Sequence, residues 1–157
     1  MSRGMRIQIT GLDRLEGKLK RLGAAASRRA LGDALEAGAQ VIKTYTRANI
    51  RARGLIDTGN LLDSIEVQRG SEGDAKAEAA VGTNVEYAAI HEFGGLIVPV
   101  KARALVFKTS DGEWHTVQKV TMPARPYLRP AVDEHRPEIG EAIGVTLENA
   151  IREAANG

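Results

Sequence analysis

Two hydrophobic rhythms divide this chain, and the boundary between them limits the folds open to it. From near Ser27, the residues Leu31, Leu35, Gly38, Ile42 and Tyr45 recur every three or four positions, which stacks them on one face of a helix. Arg51 to Gly54 ends that stretch, and the period then falls to two. Ile65 and Val67 alternate with Glu66 and Gln68, and Ala77, Ala79 and Val81 alternate with Glu78 and Ala80. Strands are expected there, joined by a turn at GSEGD. The helical rhythm returns only at the end, through Val132, Ile139, Ile143, Leu147 and Ile151, with a kink or restart at Pro137. A helix-strand-helix order of this kind describes an α+β domain.

The remaining segments fill in the scheme. Arg6 to Ile9 alternates as a short strand would, and T-x-x-D from Thr10 to Asp13 opens a first helix. Leu12, Leu15, Leu19 and Leu22 form its stripe, with Gly23 placed as a left-handed stop. In the second helix, Ala34, Ala37, Gly38 and Ala39 are small enough for another element to approach closely. A second hairpin flanks Asp111-Gly112, which predicts a two-residue type I′ turn. That turn puts Leu105 and Phe107 on one face with Thr116 and Gln118. The stretch MPARPYLRP runs extended until Pro130, a residue suited to a helix's first turn. The predicted fold is α+β: a mainly antiparallel sheet packed against two N-terminal helices and a C-terminal helix, with residues 1–157 forming a single domain.

A chain of 157 residues buries roughly 70% of its unfolded surface without staples. The absence of cysteine removes disulfides, thiolate catalysis and cysteine-bound zinc together. No apolar run reaches bilayer-spanning length, and MSRGMRIQIT does not resemble a signal peptide, so a soluble protein is expected. The net charge of +2 conceals a division at Ile56. Residues 1–56 carry 12 Lys and Arg against four acids, a surplus of +8, and the remainder carries −6. Either a phosphate backbone or the acidic part of a neighbouring copy would suit the basic half.

Enzyme signatures are missing from the sequence. His91-Glu92 begins like a zinc-protease helix, but the second histidine of H-E-x-x-H is replaced by Gly95. Ser64 lacks the flanking glycines of a nucleophile elbow, and Asp57, Asp63 and Asp133 show no paired-carboxylate spacing. No catalytic, cofactor or metal residue is therefore assigned, and His91, His115 and His135 are read as structural or surface residues. NVEYAAIHEFGG, Asn84 to Gly95, instead reads as a short helix capped by Asn84 and ended by Gly94-Gly95. Tyr87 or Phe93 belongs to the core in this reading, and Glu92 is a cap or surface charge. The apolar run Leu96, Ile97, Val98 and Val100, interrupted by Pro99, reads as an exposed strand edge that a partner covers. Arg47, Arg51 and Arg53 sit around the end of the second helix, with Arg51 and Arg53 expected on a mobile loop.

Three stretches together resemble a known family: DTGNLLDSI at Asp57 to Ile65, VGTNVEYAAIHEFGG at Val81 to Gly95, and MPARPYLRPAVDE at Met122 to Glu134. They are similar to the head-tail joining proteins of tailed double-stranded DNA phages, which include neck, tail-completion and minor tail protein Z members. Thr58, Gly59, Glu92, Phe93, Gly94, Pro126 and Leu128 match as fold and assembly positions, with Tyr87 and Gly95 beside them. The resemblance implies a non-catalytic virion protein at the head-proximal end of the tail. Copies would form a ring of six or twelve around the DNA channel, touching tail tube or terminator and head connector proteins, without cofactor or membrane. It also implies an uninterrupted last helix, against which Pro137 is unusual. The other readings are a tail terminator ring, or a DNA-binding module using the basic N-terminal half.

Overall fold

A computed structural model describes residues 5–7, 23–70 and 77–156. The element order is β1 (Met5–Ile7), α1 (Ala24–Ala52), α2 (Asn60–Asp63), β2 (Glu66–Arg69), β3 (Ala79–Gly82), α3 (Ala88–Phe93), β4 (Gly95–Ile97), β5 (Leu105–Lys108), β6 (Trp114–Val117), β7 (Val120–Met122), α4 (Leu128–Asp133) and α5 (Arg136–Asn156). The chain is α+β with antiparallel strand pairs. Its described strands divide among three small sheets, ordered β1-β3-β2, β4-β7 and β5-β6. The helix expected over Thr10 to Leu22 and the turn GSEGD lie outside the described residues. Gly23 has φ 77° and ψ 154°, so it is not a left-handed stop; it stands as the N-cap of α1.

The contacts divide the chain into two compact units, residues 1–85 with 127–157, and residues 86–126. In the first, α1 and α5 pack along the stripe read from sequence. Leu31, Leu35, Ala39 and Ile42 are buried on α1, and Ile139 and Leu147 on α5. Gly38 is required by that approach, because a Cβ there would lie 2.8 Å from Ile143 Cγ1. Ala30, Leu31, Ala34 and Leu147 form a cluster joined by Ala77, Ile143 and Ala150. Since Ala34 meets Leu147 while Gly38 meets Ile139 and Ile143, the two helices run antiparallel.

The sheet of this unit has β3 at its centre, with Ala79 and Val81 buried. Arg69, at the end of β2, forms ion pairs with Asp33 and, at 3.8 Å, with Glu36, both on α1. The DTGNLLDSI stretch is a tight corner. Gly59 adopts a left-handed conformation, φ 84°, as the N-cap of α2, and its carbonyl accepts from Asp63 N at 3.0 Å. Leu61 and Ile65 are buried by the corner, and the Ser64 and Thr83 hydroxyls meet at 2.6 Å. Pro137 lies in the first turn of α5, where a missing N–H costs no helical bond. Two helices thus replace one interrupted helix, with α4 ending at Asp133.

In the second unit, β4 pairs with β7 and α3 leads directly into β4. Gly94, φ 67°, ends α3, and its N–H donates to Ile90 O at 2.9 Å. A Cβ on Gly94 would lie 2.8 Å from Ala124 N and 2.9 Å from Met122 O. Backbone contact with the segment after β7 therefore demands glycine, and Arg125 N donates to His91 O at 2.7 Å in the same clasp. Asn84 does not cap α3: Tyr87 is the N-cap, three residues later, and no side chain bonds into the helix start.

The β5-β6 hairpin also departs from expectation. Asp111 does not take a positive φ; only Gly112 does, at 89°. Gly112 N donates to Thr109 O and Thr109 N to Glu113 O, both at 2.9 Å. The loop thus has three residues and ends on a left-handed glycine, a bulged form rather than type I′. The extra residue shifts the register by one, pairing Leu105 with Val117 and Phe107 with His115. Leu105 and Phe107 therefore face with Val117 and His115, not with Thr116 and Gln118.

Candidate assembly surface

Burial and exposure are distributed unequally between the two units. Among the described residues, the buried apolar side chains fall in the first unit, except Ala88. Residues 86–126 instead expose Tyr87, Phe93, Leu96, Val98, Val100, Val106, Phe107 and Trp114, with Trp114 70% and Val100 91% accessible. Neither Tyr87 nor Phe93 is a core residue. Beside Ala88, the buried side chain of that short helix is Glu92, 7% exposed, not the surface charge expected from its type.

The local structure explains the exposure. An antiparallel ribbon of two strands has two faces and no third strand or helix of its own to cover either. On β5 and β6, one face carries Val106, Lys108, Trp114 and Thr116, and the other carries Leu105, Phe107, His115 and Val117. Phe107 and His115 stack across the pair, with ring centroids 6.0 Å apart. Leu96 lies on β4, with Val98 and Val100 following, and β4 pairs with β7 alone among the described strands. Leu96, Val98 and Val100 are as exposed as the sequence suggested, while Ile97 is half-buried.

The other sequence-selected residues fall in the first unit. Arg47 reaches Asp63 Oδ1 at 3.4 Å, so one of the three arginines is tied internally. Arg51 occupies the last turn of α1 and Arg53 is its C-cap, so neither stands on a loose loop. The chain turns at Gly54, φ 63°, with Gly54 N bonded to Arg51 O and Leu55 N to Ile50 O. Both side chains are exposed, and neither pairs with a carboxylate among the described residues. Leu128 is buried and Pro126 half-buried. Tyr127 between them is more buried than either, and its carbonyl accepts from Asn49 Nδ2 at 3.0 Å. An aromatic flanked by two positions already singled out was the available signal for it.

The three histidines serve local packing. His91 meets Tyr87 edge-on at 5.8 Å, and burial first, then the Arg125 charge, hold its pKa below the ordinary value. His135 stacks on Tyr45 and lies 3.5 Å from Glu138. His115 approaches Asp111 and Glu113 closely enough to share an ion, but all three are exposed. Asp111 is already committed to the turn, accepting from Thr109 Oγ1 and Glu113 N, which lowers its pKa in that order of cause.

Comparison with known proteins supplies the family. A family model described as "Bacteriophage HK97-gp10, putative tail-component" matches residues 13–94. Mu-like prophage FluMu G protein 2 of Haemophilus influenzae is 33% identical over 134 residues, covering 78% of this chain and 81% of that protein. The chain belongs to the HK97-gp10-like family. It is a structural, tail-related phage protein. The match spans the first of the three stretches singled out from sequence and all of the second but Gly95, ending just before β4. No solved structure matches the chain. Among the described residues, no helix of this HK97-gp10-like protein is long and apolar enough to cross a membrane.

Proposed function

We propose that this protein acts without catalysis in the virion, assembling at the head-proximal end of the tail to complete the head-tail joint around the DNA channel. Residues 1–157 act as one domain in this reading, with 1–85 and 127–157 as scaffold and 86–126 as the contact region. The observation that carries it is the apolar exposure of Leu96, Val98, Val100, Val106, Phe107 and Trp114, all between residues 96 and 114. A lone soluble chain gains nothing from such a surface; a chain docked onto a tail protein buries it.

The protein is expected to be a monomer or weak oligomer alone and to form a ring only on its partner. Head-to-tail contacts close into a ring only when the rotation between neighbours is right, and a preformed tail end imposes that rotation. Native mass spectrometry with and without purified tails or connectors tests this reading. Monomers or weak oligomers alone and multiple bound copies on tails are the expected result. Stable closed rings without any partner, or no binding to tails, would contradict it.

A further inference from the structure

Within α1, the positive charge gathers toward the C-terminal end. After Glu36, α1 carries no acid; Lys43, Arg47 and Arg51 follow at intervals of four, and Arg53 caps the helix. Lys43, Arg51 and Arg53 have no carboxylate partner among the described residues. On α5, the face opposite Ile139, Ile143 and Leu147 carries the exposed residues Glu138, Glu141, Val145 and Glu148. Glu141 and Glu148 likewise have no cationic partner among the described residues, and Val145 between them is half exposed.

These two surfaces cannot neutralise each other within one copy. Glu141 lies level with Gly38 of α1, because Gly38 packs between Ile139 and Ile143. Arg51 is 13 residues further along α1, about 20 Å at 1.5 Å per residue. The outward face of α5 also points away from α1. Beside that face, Gly140 and Gly144 leave open space where a Cβ would stand, so no packing among the described residues requires glycine there. Glycine weakens a helix interior relative to alanine, and its use here leaves a shallow surface for an approaching side chain.

We propose that the basic end of α1 docks on the acidic outer face of α5 of a second copy of this chain, Arg51 and Arg53 meeting Glu141 and Glu148 across Val145. This rests on the reading that copies assemble, and it names the contact. Each copy then uses two different patches, the head-to-tail geometry that closes into rings. Exposed ion pairs are individually weak and salt-sensitive, which suits a contact that holds only when a tail end collects the copies.

A charge-exchange experiment tests it. Arg51→Glu with Arg53→Glu makes both patches acidic, and Glu141→Lys with Glu148→Lys makes both basic. All four residues are exposed, so the fold should persist, as circular dichroism would verify. Sedimentation at high protein concentration and low salt should show each variant self-associating roughly tenfold more weakly than the parent. An equimolar mixture of the two should recover association, because every contact then joins opposite charges. Variants that associate as the parent does would overturn this contact while leaving assembly in place. If the arginine variant assembles normally but loses affinity for duplex DNA, the basic end serves phosphate instead and the proposal fails. A parent protein that stays monomeric both alone and on purified tails would overturn assembly itself, and this contact with it.

Discussion

Among the described residues, the first unit, 1–85 with 127–157, keeps its large apolar side chains buried or half-buried except Ile56 and Val145, whereas residues 86–126 expose most of theirs. In the first unit, Ile42, Ile50, Leu61, Ile65 and Val81 are almost wholly inaccessible. In the second, Trp114, Phe93, Val106 and Val100 are mostly accessible, and the buried side chains of α3 are Ala88 and Glu92. The same residue types thus serve opposite purposes, with stability provided in one region and contact offered in the other. An unexceptional composition conceals this, because a hydrophobic average does not say which surface remains open.

The largest expected effects lie in the packed unit. Ile42→Ala or Leu61→Ala should cost about 2 to 5 kcal/mol, since each removes a fully buried side chain and leaves a cavity. Chemical denaturation measures this, and a loss below about 1 kcal/mol would mean the core is looser than described. Gly94→Ala should be next, at about 1 to 3 kcal/mol, because a positive φ and a backbone contact both oppose a Cβ. Thermal unfolding of that variant tests whether the clasp between α3 and the segment after β7 holds the second unit together.

Substitutions on the open surface should behave in the opposite way. Phe93→Ala would cost about 3 to 5 kcal/mol if its ring were in the core. With that ring 61% exposed, the expected change is under about 1 kcal/mol. Trp114→Ser with Val106→Ser should likewise leave melting nearly unchanged while reducing attachment to tails in a complementation assay. Equal losses of stability and attachment would remove the contrast between the units.

The smallest effect is one of pH. The folded surroundings of His91 favour its neutral form, so the unfolded chain binds more protons as pH falls through about 6.5. The contribution is present above that value and fades as pH drops toward the lowered folded pKa. Melting temperature should therefore decline slightly on acidification below about 6.5, and His91→Gln should flatten that decline. An unchanged slope in the variant would show that His91 is not responsible.

The packed unit was largely legible in the sequence, and the open unit was not. Leu31, Leu35, Gly38 and Ile42 follow a period that only a buried helical face explains, and Pro137 marked the restart at α5. In α3, by contrast, residue type misleads: Phe93 reads as core and Glu92 as surface, yet six residues are too few for a period to decide which face is covered. The hairpin was found but its register was not. Asp111-Gly112 suits both a two-residue and a three-residue loop, and the choice rests on one backbone angle. Leu96 and Val98 were recognised as exposed because Pro99 beside them argues against a central strand. Trp114, the most exposed large aromatic of the ribbon, carried no such signal.

Hydroxyl-radical footprinting of the free protein and of the same protein bound to purified tails tests the central claim most directly. Oxidation at Trp114, Phe107 and Phe93 should be strong in the free protein and markedly reduced on tails, while Ile42 and Leu61 stay protected in both. Undiminished oxidation of Trp114, Phe107 and Phe93 in tail-bound protein would contradict the account, because the open unit would then not be the surface that assembly covers.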